Sequence, residues 1–167
     1  MTTSSVAADS SHGLQGKLPR PPGLSFYVVV QNAKAAIDFY KSVFGATLVH
    51  CFYDPGTTRV VHAILELNGI TFYLSDDFPD WTDGSLAPQS TGKSPVTLVL
   101  NVADVDAMFD KAVKAGAKAL SPVEEQFWGE RSGLLMDPFG TQWSIQAHKQ
   151  DVSFADVARM GEANYRR

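Results

Sequence analysis

Along this chain the spacing of apolar residues switches between two and three-to-four, and the switches mark out the same series of elements twice. Leu24–Val30 (LSFYVVV) is dense in β-forming residues and predicts a strand. Ala33–Phe44 then places Ala36, Ile37, Tyr40, Val43 and Phe44 at helical spacing, with Gly45 as the stop. Thr47–Tyr53, Val60–Leu67 and Ile70–Ser75 predict three further strands. Asn68-Gly69, between the last two, is a strong signal for a two-residue hairpin. The series then restarts. Pro95–Val102 predicts a strand, and Val105–Ala115 a helix with Met108, Phe109, Ala112 and Val113 on one face and Gly116 at its end. Ala119–Glu124, Ser132–Met136 and Gln142–Ala147 close the second series, the last two joined by the turn Asp137-Pro138-Phe139-Gly140.

The two helices also share an order of residues: a strand-end valine (Val30, Val102), a Phe-x-Lys-x-Val stretch (Phe39 to Val43, Phe109 to Val113) and a Gly-Ala exit (Gly45-Ala46, Gly116-Ala117). The reading is therefore α+β, with two βαβββ modules over residues 24–78 and 95–149 that together form one domain. A single such module cannot bury its sheet, so two are expected to join into a U-shaped mixed sheet with helices outside and a cleft inside. Residues 79–94 read as a linker rich in Pro, Gly, Ser and Asp, and 1–23 as a Ser-rich, then Pro-rich, flexible tail. Within 150–167, Ser153–Tyr165 predicts a short C-terminal helix carrying Phe154, Val157 and Met160 on one side, to pack on the domain or a partner.

Composition narrows the function classes. The chain has 167 residues, 44% hydrophobic and 19% charged, as an ordinary globular protein has. Its net charge of −4 and the lack of any Lys/Arg run argue against a nucleic-acid partner, which needs a basic stripe to neutralise phosphates. No apolar run approaches the ~20 residues of a membrane helix, and no signal-peptide pattern opens the chain, so no membrane partner is expected and the cytoplasm is the expected location. The single cysteine, Cys51, sits among Leu48, Val49 and Phe52 and reads as a small core residue.

Several stretches carry a resemblance. Phe39-Tyr40-Lys41-Ser42-Val43-Phe44-Gly45-Ala46 resembles the FYxxxFGA signature of glyoxalase and bleomycin-resistance proteins. His62-Ala63-Ile64-Leu65-Glu66-Leu67 resembles the HAEL strand of the PhnB-like branch, with Ile64 in place of the usual Glu. Phe127-Trp128-Gly129-Glu130-Arg131, followed by Asp137-Pro138-Phe139-Gly140-Thr141-Gln142-Trp143, is similar to that branch's FWGxR…DPFGxxW ending. The four stretches stand in the right order over about Leu24 to His148. They place the chain among proteins that resemble the vicinal oxygen chelate superfamily. The resemblance implies paired βαβββ modules, commonly a homodimer, and a substrate or metal in the concavity.

Metalloenzymes of that superfamily set a His or Glu on four concave strands. Aligned by the repeat, those positions fall on Ser25, Tyr73, Thr97 and Ser144. None is a good ligand for a divalent transition metal, and the neighbouring register (Leu24 or Phe26, Phe72 or Leu74, Val96 or Leu98, Trp143 or Ile145) offers none either. No metal or other cofactor is expected, and standard glyoxalase I activity is not carried over. What remains for the concave face is His62 and Glu66, which alternation puts together on one side of Val60–Leu67, opposite Val61, Ala63, Leu65 and Leu67. They read either as a pair close enough to bind one ligand jointly, catalytic in a lyase, an isomerase or a metal-dependent enzyme of that superfamily, with His62 as acid or base, or as ordinary polar residues on a wet strand face. Tyr27, Tyr73 and Gln146 alternate onto the predicted inner face and are candidate ligand-binding residues. Trp128 and Arg131 join them, with two arrangements open: an indole lining the pocket and a guanidinium meeting an anion, or a packed indole and an arginine bridged to an acid such as Glu130 or Asp137. Asp76 and Asp77 are expected to be solvated turn carboxylates. The sum is a protein binding a small organic molecule without the glyoxalase-type metal site, with an enzyme as the alternative.

Overall fold

The computed structural model describes residues 23–88 and 94–165. The N-terminal tail expected over 1–23 lies, apart from Gly23, outside the described residues, as do residues 89–93 of the linker. The elements run β1 (Tyr27–Val30), α1 (Ala33–Phe39) continued by a π-helical turn (Tyr40–Phe44), β2 (Thr47–Tyr53), β3 (Val60–Leu67) and β4 (Ile70–Asp76). The second series is β5 (Thr97–Asn101), α2 (Val105–Lys114), β6 (Lys118–Glu125), β7 (Glu130–Met136) and β8 (Gln142–His148), followed by α3 (Phe154–Tyr165).

Two four-stranded mixed sheets result, ordered β1-β4-β3-β2 and β5-β8-β7-β6. In each, the first strand pairs parallel with the last, Tyr27 beside Tyr73 and Val99 beside Ser144, and the other pairings are antiparallel. A parallel neighbour requires a crossover, and the helix supplies it. Each helix starts on a side-chain cap: Asn32 accepts from the Ala35 N–H at 3.1 Å and Asp104 from the Ala107 N–H at 3.0 Å. Each ends at a glycine with positive φ, Gly45 at 79° and Gly116 at 104°. The β3–β4 hairpin turns through Asn68 (φ 50°) and Gly69 (φ 76°), the two positive values a type I′ turn demands.

One core is drawn from both modules. Its centre is aromatic. Tyr40 and Phe44 of the π-helical turn lie 5.6 and 4.7 Å from the Trp143 ring on β8, and Phe39 meets Phe139 edge-on at 6.0 Å. Module one thus seats its helix against the last strand of module two. The Asp137 carboxylate is the polar pin of this contact. It accepts from Tyr40 Oη at 2.8 Å, Trp143 Nε1 at 2.9 Å, and the N–H groups of Phe139 and Thr141, both at 2.9 Å. Burial pushes its carboxyl up from the usual carboxylate range, and the four donors pull it back. On α2, Phe109 packs so closely on β7 that a Cβ at Gly133 would sit 2.8 Å from its ring. Only glycine fits there.

Candidate functional site

Alternation divides the first sheet into two faces. Val28, Leu74, Ala63 and Leu65 turn into the core, with Leu48 and Cys51 packed against it. Burial pushes the Cys51 thiol up. The opposite face carries Tyr27, Tyr73, Ile64 and His50 in one row across the four strands, with His62 and Phe52 paired in the next. A β-bulge between Leu48 and His50 makes this possible. It shifts the register by one residue, so that His50 and Phe52 swing to the side of His62 instead of the core.

On that face three rings gather. His62 lies 5.7 Å from Tyr27 and 5.4 Å from Tyr73, stacked on the latter at 27°, and the two tyrosines are 6.0 Å apart. Tyr27 Oη stands 3.3 Å from His62 Nδ1 and 3.4 Å from the Val61 carbonyl oxygen. His62 and Tyr73 are half-buried, Tyr27 is 50% exposed, and Ile64, beside Tyr73 in the row, is buried at 2%. Partial burial, and then the nearby His50, hold the His62 imidazole below the usual histidine range, so it stays neutral near pH 7. From Tyr27 an apolar groove of about 350 Å³ runs along β1, walled by Leu86, Pro88, Pro95 and Val96. A volume of this size accepts a small organic molecule.

The other sequence-predicted residues fall elsewhere. Glu66 shares the His62 face but pairs with Thr47 and Thr71, with Ile64 between it and His62. Four residues of strand separate them by about 13 Å, too far for joint action on one reacting group. Gln146 lies on the second sheet, on the face opposite Trp143 and Ile145, and donates to Asn101 Oδ1 at 3.1 Å. Trp128, in the β6–β7 turn, donates from Nε1 to Glu130 at 3.1 Å and meets Phe127 edge-on. Arg131 is on the helix side of β7, two residues before Gly133, where it grips Asp106 of α2 through two hydrogen bonds at 2.6 and 2.8 Å. That pair, not Glu130 or Asp137, is the acid it finds. Asp76 also departs from expectation: it is buried, and accepts from the N–H groups of Ala33 at 2.9 Å and Val60 at 2.6 Å, tying β3 and α1 to the end of β4. Asp77 holds the following loop through Ser85 and the Leu86 N–H.

The four positions at which the resemblance would seat a metal do not fit one. Tyr73 is committed to the ring cluster, Thr97 and Ser144 are neutral hydroxyls beside Gln142 and Val99, and Ser25 precedes β1. Among the described residues no three His, Cys, Asp or Glu side chains gather closely enough to hold an ion. Also among the described residues, no helix is long and apolar enough to cross a membrane.

The repeat, the crossovers and the aromatic seam define a paired-βαβββ protein, and comparison with known proteins agrees. Residues 24–145 match the family model of the glyoxalase/bleomycin resistance protein/dioxygenase superfamily, and the chain belongs to that family. It is 42% identical over 138 residues to an uncharacterized protein of Mycobacterium tuberculosis, an alignment spanning 81% of this chain and 80% of that one. In fold it is similar to a PhnB protein from Bacillus cereus, at a TM-score of 0.59 and 20% identity over 74% of this chain and 98% of that one. It is also similar in fold to the fosfomycin resistance protein FosX of Listeria monocytogenes, solved with Mn(II) and sulfate, at a TM-score of 0.59 and 12% identity over 84% and 99% of the two chains.

Proposed function

We propose that this protein binds a small organic molecule on the open face of its first sheet, without a glyoxalase-type metal. The observation that carries the reading is the Tyr27–His62–Tyr73 cluster, three rings within 6.0 Å of one another on the face turned away from the core. A ring cluster of which one member, Tyr27, also borders an apolar groove supplies stacking area with a few fixed polar atoms, the usual makeup of a small-molecule site. The neutral hydroxyls of Ser25, Thr97 and Ser144 support the metal-free part of the reading.

A second reading, an enzyme of lyase or isomerase type, draws on one contact. Tyr27 fixes the His62 ring through Nδ1, and an oriented neutral imidazole can take a proton. Glu66 is too distant to be its partner.

Both readings are tested by a thermal-shift screen of small organic molecules on chelator-treated protein. The account expects at least one molecule to raise the Tm. Its shift should fall by more than half in Tyr73→Ala and His62→Ala, each of which removes ring area from the cluster. A ligand whose shift ignores both substitutions would place the site elsewhere. Turnover of a ligand that His62→Ala abolishes, with affinity retained, would favour the enzyme.

A further inference from the structure

The cluster's hydrogen bonds specify more than an aromatic surface. The Tyr27 hydroxyl has one proton and two partners: the Val61 carbonyl, which can only accept, and His62 Nδ1. Both contacts are satisfied together only if the phenol donates to Val61 and accepts from Nδ1–H. The opposite choice, phenol donating to Nδ1, leaves the Val61 contact unused. On that pairing the proton of the neutral imidazole is placed on Nδ1, which leaves Nε2 as the acceptor. Tyr27 is the described hydrogen-bonding partner of this ring.

The groups around His62 on this face are Tyr27 on β1, Tyr73 on β4, Phe52 and His50 on β2 and, four residues along β3, Glu66. No lysine or arginine stands in those paired positions to recruit an anion. What the cluster offers is ring faces and the imidazole acceptor of His62. An acceptor left unmatched inside a complex loses its bond to water without replacement, so a ligand that fills this face is selected for a donor opposite Nε2.

Building on the binding reading above, we infer that the ligand is a planar aromatic molecule presenting an O–H or N–H donor to His62 Nε2 while its rings lie against Tyr27 and Tyr73. The groove along β1 receives the rest of the molecule. Tyr27 is then a specificity residue: it selects the imidazole tautomer, and the tautomer selects the donor. Acid should oppose binding, because a protonated His62 turns its acceptor into a second donor.

The test is the affinity ratio of two probes with the same rings, 2-naphthol and 2-methoxynaphthalene, measured by titration of the full chain. The first carries a donor and the second does not. The expected result is a preference for 2-naphthol of about ten-fold, the worth of one buried hydrogen bond near 1.4 kcal/mol. In His62→Phe, which keeps a ring but no acceptor, the ratio should fall to near one. In Tyr27→Phe, which frees the tautomer, it should shrink. Equal binding of the two probes by the wild type would overturn the donor requirement while leaving the binding reading intact. A preference that survives in His62→Phe would do the same. If neither probe binds, the planar aromatic class is wrong, and the ligand found by the thermal-shift screen decides separately whether the face binds anything.

Discussion

Tyr27, His62 and Tyr73 are ordinary strand residues until the sheet sets them side by side. Tyr27 and Tyr73 were legible in the sequence as inner-face residues, because strand alternation needs no more than a parity count. His62 was legible for the same reason. His50 was not: it reads as a lone strand histidine, yet the bulge at Val49 turns it to the His62 side. The one local hint is that Leu48 and Cys51, three apart, both pack on the core, a spacing regular alternation does not allow. For Arg131 the sequence allows either an anion site or a bridge to an acid, and the structure shows the bridge, to Asp106 of a helix 25 residues away. The lowered titration of His62 gives a pH prediction with a definite sign. The unfolded chain, with a histidine near pH 6.5, binds this proton more readily than the fold does. Stability from this group is thus complete above that value and falls as the pH drops below it. Urea midpoints of wild type against His62→Asn should show the wild-type advantage shrinking between about pH 7.5 and 5.5. A constant difference would mean the imidazole titrates normally.

At the scale of elements, hydrophobic periodicity and the caps located each strand and helix given a range above, among the described residues, to within about three residues. The ends moved where chain geometry overrides composition: Leu24 is 95% exposed and outside β1 despite its apolar character. What composition could not show is how α1 is locked to β8. Asp137 reads as a turn residue, and its role depends on Tyr40, 97 positions away. Asp137→Asn tests that lock. An amide nitrogen cannot accept from Tyr40 Oη and Trp143 Nε1, so at least one buried donor is orphaned. The expected loss is about 2–4 kcal/mol in urea unfolding, against a few tenths for a surface Asp→Asn change. A loss under about 1 kcal/mol would show that the two modules do not depend on this pin.

For the whole molecule, the internal repeat accounts for the architecture: two sheets, each with its own crossover helix, sharing one core. The repeat does not make the halves equivalent. The row that holds Tyr27, Tyr73, Ile64 and His50 in the first sheet holds Val99, Ser144, Leu134 and Ser121 in the second. The first half carries the ring cluster, so the proposed ligand site belongs to module one, which shares its core with module two. The most direct check is an NMR titration of chelator-treated protein, labelled on its tyrosine and histidine rings, with the ligand that raises its Tm. The account predicts that Tyr27, His62 and Tyr73 shift together and saturate at one ligand per chain with no metal added. Saturation with the rings of Tyr27, His62 and Tyr73 unmoved, or shifts that arise only after a divalent metal is supplied, would contradict it.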